Sequence, residues 1–138
     1  MPTTAEITEP LVRENITRAV SDVFKTMLGR DSAFVSAVVQ PVDDGLSPPA
    51  PGPATGLLPF VVGTVGFLGD INGLIYLYLD EPFARLCTRH LLGMTDQELD
   101  EAGDEVINDA IGELTNMTVG VFKNGLCDAG FPCKLTIP

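Results

Sequence analysis

The chain contains no tryptophan and one histidine, His90, with three cysteines and eight basic residues among 138. Each shortage excludes something. A single histidine with no cysteine pair beside it has no partners for a zinc site. Cys87, Cys127 and Cys133 are too few and too unevenly spaced for a disulfide framework, so free thiols in a reducing cytoplasm are the expectation. Pairing of Cys127 with Cys133 is the minor alternative. Eight lysines and arginines against nineteen acids give a net charge of −11, which argues against nucleic acid and against an anionic membrane surface. No apolar run reaches the ~20 residues that span a bilayer. The longest, "GLLPFVVGTVGFLG", is interrupted by Pro59 and glycines. The opening "MPTTAEITEP" lacks the basic and apolar blocks of a secretory signal.

What is present suits one globular domain over residues 1–138. Hydrophobic residues make up 45% of the chain, enough for a core that buries roughly two thirds of the unfolded surface. Residues 8 to 28 carry helical periodicity, with Thr8 as cap, Pro10 in the first turn and Gly29 as stop. "AFVSAVVQPV" has the β-branched content of a strand from about Ala33 to Gln40. The proline- and glycine-rich stretch of about 43–56 is a loop. Pro59 to Leu79 reads as a hairpin turning at Asn72-Gly73. "DEPFARLCTRHLLG" follows as a short helix whose apolar face includes His90. Residues 95 to 105 hold six acids and no base, an acidic entrance to a long helix from about Asp100 to Phe122, closed by "KNG". "FPCKLTIP" begins a last strand. This order favours an α+β fold, an antiparallel sheet with helices packed on it.

One segment is unusual. In "DAIGELTN", Ala110, Ile111 and Leu114 would pack inward, while Asp109, Gly112, Glu113 and Asn116 recur at steps of three and four. Asp109 and Glu113 lie about 40° apart around the helix and Glu113 and Asn116 about 60°, with Gly120 on the same side. A glycine costs about 1 kcal/mol relative to alanine in a helix. Two of them on one stripe suggest a helix cut down so that a partner backbone approaches. A solvated face is the equally open alternative from patterning alone. Carboxylates one turn apart are too close for a glycosidase couple. One helix cannot wrap enough oxygen ligands around Mg²⁺ or Ca²⁺, so no metal site is expected. Walker, G-x-S-x-G and dinucleotide-binding patterns are absent.

Asp109, three residues, Glu113, two residues and Asn116 resemble the signature of the CheC/CheX/FliY chemotaxis phosphatase family. That signature continues to a proline a little over twenty residues later, where Pro138 falls. "GTVGFLGDINGLIYLYLDEPFARLCTRHLLGM" is similar to the family's hairpin and short helix, and the first helix, ending "VFKTMLG", looks most like CheX. The first helix offers only adjacent Glu14-Asn15 in place of a second E-x-x-N, so one active site per chain is implied. The family normally continues for further strands where this sequence stops.

The resemblance implies a CheC/CheX-like fold and dephosphorylation of a CheY-like receiver domain carrying phospho-aspartate. Glu113 and Asn116 would act in catalysis. Asp109, Gly112, Gly120 and Pro138 would support partner binding. No cofactor of the chain's own is implied, Mg²⁺ belonging to the receiver, and a homodimer is compatible with the resemblance. The alternative is a non-catalytic adaptor of the same fold, of flagellar-switch type.

Overall fold

The computed structural model describes residues 8–37 and 60–136. In chain order its elements are α1 (Glu9–Leu28), β1 (Phe60–Gly69), β2 (Gly73–Asp80), α2 (Glu81–Leu92), α3 (Asp96–Ala102), α4 (Asp104–Asp128) and β3 (Cys133–Leu135). The strands form one antiparallel sheet in the order β2-β1-β3. The α+β class with an antiparallel sheet, expected from the sequence, is the class observed.

Local chemistry sets most helix ends. The Thr8 side chain accepts from Leu11 N–H, Pro10 sits in the first turn of α1, and Gly29 closes it in the left-handed region at φ 66°. Asp80 caps α2 by accepting from Phe83 N–H at 2.9 Å, and Gly93 ends it at the same φ. Each side-chain cap is worth about 1 kcal/mol.

Burial does the rest. Along β1, Gly63, Val65 and Phe67 turn toward the helices. One cluster gathers Phe24, Leu79, Cys87, Leu99, Ile107, Ile111 and Leu114, and a second gathers Ala19, Phe67, Phe122, Leu126 and Phe131. Helix α4 contributes to both, spanning the core from end to end. Ile111 and Leu114 have no exposed surface, and side chains so buried contribute roughly 1.5–3 kcal/mol each.

The structure corrects several expectations. Residues 33–37 form no strand, and 38–40 lie outside the described residues, as do the 43–56 loop and Pro138. Residues 33–37 are exposed and join no ladder; Phe34 instead lies over the Arg13 guanidinium at 5.7 Å. β-branched content favours a strand only where a sheet surface receives it. The Asn72-Gly73 pair is not a two-residue turn. Gly73 is already paired with Phe67, leaving a five-residue connection, 68–72, in which Asn72 Oδ1 accepts from Gly69 N–H at 3.1 Å. Leu68 and Gly69, past the last β2 pair, still pair with β3 on the other edge of β1.

The acidic entrance is a helix of its own. Thr95 and Glu98 form a reciprocal capping box at the start of α3, and Gly103, at φ 92°, separates α3 from α4. Nor are its acids without bases. Arg85 of α2 donates to Asp96 at 2.9 Å and also to Asp100. That hydrogen-bonded guanidinium holds the Asp96 carboxyl below its ordinary range. The pairing is therefore present at neutral pH and is lost as pH falls through that lowered value. His90 is exposed rather than part of the buried face of α2.

At its far end α4 runs past Phe122 and through "KNG" to Asp128. Gly125 is not a stop. It is the place where Asn15 of α1 lies against α4: a Cβ there would sit 2.0 Å from Asn15 Oδ1.

The tightest approach between helix and sheet is at Gly63, where an added Cβ would meet Thr115 Oγ1 at 1.9 Å and Thr115 Cβ at 2.8 Å. Gly63→Ala is expected to destabilise the fold by about 1–3 kcal/mol, the usual cost of overpacking. Chemical denaturation checks this; an unchanged unfolding midpoint would contradict the close approach.

Candidate functional site on helix α4

The candidate site is one face of α4, and the buried face opposite determines where it points. With Asp109 placed at 0° and 100° per residue, Leu114, Thr118 and Ile111 fall at about 140–200°. All three are buried. Gly112, Glu113, Asn116 and Gly120 fall within about 60° of Asp109, on the side turned away from the core. Burial of the first set forces presentation of the second.

Two internal hydrogen bonds help the helix fit. Thr115 Oγ1 donates to the Ile111 carbonyl at 2.6 Å and Thr118 Oγ1 to the Leu114 carbonyl at 2.8 Å. Both hydroxyls are thereby satisfied within the helix, so both threonines are buried without further partners among the described residues, Thr115 directly against the sheet at Gly63. Asn116 follows Thr115 directly and is turned about 100° out of that contact.

Asp109 and Glu113 are exposed, and Asn116, Gly112 and Gly120 are half-buried. The Asp109, Glu113 and Asn116 side chains make no hydrogen bond or ion pair with any described residue. A half-buried carboxamide with its donors and acceptor uncommitted is available to a ligand or a water.

The glycines are informative by comparison with others in the chain. Gly63 and Gly125 are required by Thr115 and Asn15, which press on them. At Gly112 a Cβ would meet nothing within 4 Å, and at Gly120 only Leu135 Cδ1, at 4.0 Å. Nothing among the described residues demands glycine at either place.

Asn15 has a different role. It is buried; its amide Nδ2 donates to the Leu11 carbonyl at 3.0 Å, and its Oδ1 accepts from Arg18 at 2.6 Å. That carboxamide is committed to partners within α1 and lies against Gly125 of α4, so the structure gives α1 no counterpart of Asn116. Two further features lie off the stripe. A groove of about 500 Å³ beside α1, lined in part by Val12, Ile16, Val20 and Phe34, shares no residue with it. Among the described residues no group of three or more histidines, cysteines or acids could hold a metal ion. No helix among them is long and apolar enough to cross a membrane.

The structure thus brings Asp109, Gly112, Glu113, Asn116 and Gly120 together on one open face, while Pro138 falls outside the described residues. The sequence reading missed that the face continues. Cys127 is eighteen residues after Asp109, five full turns. That continuation was hidden because the helix was expected to end at "KNG".

Among the described residues, a three-stranded antiparallel sheet carries a long helix whose outer face offers a carboxylate and an uncommitted carboxamide between bare glycines, and this arrangement defines an α+β protein. Comparison with known proteins supplies the family. The model of the chemotaxis phosphatase CheX family matches residues 61–138, more than half of the chain, and the chain belongs to that family. A crystal structure of a chemotaxis protein CheX from Desulfovibrio desulfuricans shares the fold, with a TM-score of 0.66 at 20% sequence identity over 91% of this chain and 73% of that one. Comparison with curated proteins gives no match.

Because the space around Gly112 is empty, Gly112→Ala is expected to leave the fold intact and raise its stability by about 0.5–1 kcal/mol, the difference in helix propensity. Thermal or chemical unfolding reads this. A loss of stability would mean that glycine is required by the fold itself.

Proposed function

We propose that this chain hydrolyses the aspartyl phosphate of a response-regulator receiver domain by inserting the outer face of α4 into the receiver's phosphorylated site. The observation that carries the reading is the uncommitted Asn116 carboxamide, one turn from Glu113 on a face left bare by Gly112 and Gly120. Membership of the chemotaxis phosphatase family supports it.

The chemistry explains the residue types. Phosphoryl transfer is governed by positioning and electrostatic stabilisation more than by covalent participation of the enzyme. An in-line water needs a hydrogen-bonding group that both donates and accepts, without adding negative charge beside a phosphate. Asn116 meets that description. A carboxylate in its place would repel the phosphoryl oxygens. Glu113 acts in docking: it pairs with a lysine of the receiver and fixes the angle at which α4 enters. Asp109, one turn earlier, supports that placement. The receiver brings the Mg²⁺ that neutralises its own phosphoryl group.

The chain's net charge of −11 makes long-range attraction to an acidic receiver a poor source of specificity. Local pairing at Glu113 and close backbone approach over Gly112 and Gly120 must supply it.

The test uses receiver domains from the same genome, loaded with acetyl phosphate, with phosphate loss followed over time. Wild type should accelerate the loss. Asn116→Ala should abolish most of the acceleration, on the order of 10²-fold as expected for a misplaced water, and Asn116→Asp should not restore it. Glu113→Ala should weaken binding as well as rate. Equal decay with and without the protein, despite demonstrable binding, would overturn the catalytic reading in favour of an adaptor.

A further inference from the structure

Beyond the proposed phosphatase face, α4 carries a second reactive group at its other end. Cys127, in its last turn, and Cys133, the first residue of β3, are both free thiols and both half-buried. They face each other across the reversal 128–132. The Cys127 thiol donates to the Cys133 carbonyl at 3.5 Å. The Cys133 thiol is held above its ordinary value first by burial and then by the charge and hydrogen bonding of Cys127 beside it; Lys123 acts in the opposite sense.

This neighbourhood is built into the backbone. Gly130 N–H donates to the Cys127 carbonyl at 3.1 Å and Phe131 N–H to the Leu126 carbonyl at 2.9 Å, while Gly130 takes the left-handed φ of 100° that lets the chain double back. Phe131 is buried in the core, and the Pro132 carbonyl accepts from Asp70 N–H at 2.9 Å. The turn that brings the two sulfurs together is thus fixed at both ends.

The third cysteine is a natural control. Cys87 is 1% exposed, and burial pushes its thiol up to about 11. Burial is what separates it from the other two: a thiol this enclosed is closed to an oxidant in solution.

We propose that Cys127 and Cys133 form a site of reversible thiol oxidation by hydroperoxides, closing an intramolecular disulfide between the end of α4 and β3. One thiol is oxidised to a sulfenic acid as the peroxide O–O bond breaks, one oxygen passing to sulfur and the other leaving as water from hydrogen peroxide or as the alcohol from an organic hydroperoxide. The second sulfur then displaces the sulfenic oxygen, released as water. Two S–H bonds are lost, one S–S bond forms, and the two electrons go to the peroxide. Leu135, two residues beyond Cys133, is the nearest side chain to Gly120, its Cδ1 4.0 Å from where a Cβ there would sit, so the bond would tie the flank of the open face to the helix that bears it.

The experiment treats the folded full chain with hydrogen peroxide, alkylates free thiols before and after unfolding, and maps the peptides by mass spectrometry. The expected result is a Cys127–Cys133 linked peptide in monomeric chain, with Cys87 alkylated only after unfolding, and full reversal by dithiothreitol. In Cys127→Ser, Cys133 should remain without an intrachain partner. Three outcomes would each overturn the proposal: disulfides only between chains, sulfinic or sulfonic acid without a cross-link, or both thiols free at doses that oxidise a small dithiol. None of these outcomes bears on phosphatase activity, so this inference and the proposed function stand or fall separately.

Discussion

The close seating of α4 on β1, at Gly63 against Thr115, is the contact on which the rest of the molecule depends. A side chain at residue 63 would occupy the place of the threonine hydroxyl. Without one, the helix comes close enough for Ile107, Ile111 and Leu114 to join one hydrophobic cluster and for Phe122 and Leu126 to join the other. The same contact fixes rotation about the helix axis. With Thr115 held on the sheet, Asn116 is carried round toward solvent, and Asp109, Glu113 and Gly120 fall into line with it. Packing energy on one side of α4 thereby determines the chemistry shown on the other.

The two kinds of glycine in this chain divide the same way. Gly63 and Gly125 are small because neighbouring elements touch them, whereas Gly112 and Gly120 are small with almost nothing near. Glycine in a helix costs stability that a fold has no reason to spend twice on an open face. Asn15 and Asn116 separate likewise: Asn15 commits its amide to Leu11 and Arg18, while Asn116 keeps its own free among the described residues. These contrasts, together with family membership, are what support the proposed role of the bare face.

Much of this was legible in the residues. Thr8, Pro10 and Gly29, and Asp80, Pro82 and Gly93, mark two helices almost to the residue because capping is local chemistry. The stripe from Asp109 to Gly120 followed from helical periodicity alone. Tertiary requirements were less visible. Gly125 resembled a stop signal, and only the position of Asn15 on a distant helix shows why a glycine stands inside α4. Residues 33–37 had strand-forming side chains but pair with no strand among the described residues. The separation of α3 from α4 could have been read from Thr95 and Glu98, a T-x-x-E capping box, followed by Gly103. The pairing of its acids with Arg85 and Arg89 could not, since those bases come from α2.

The central claim is that a phosphorylated partner meets the outer face of α4. Chemical-shift mapping of the isotope-labelled protein against a phosphorylated receiver domain tests it directly, independent of turnover, with Asn116→Ala used to keep the phosphoryl group intact. The account predicts that amide and side-chain shifts cluster along Asp109, Gly112, Glu113 and Gly120 and weaken when the receiver is unphosphorylated. Shifts confined to the groove beside α1 or to the exposed Val62 and Leu74 of the sheet, with α4 unmoved, would contradict it.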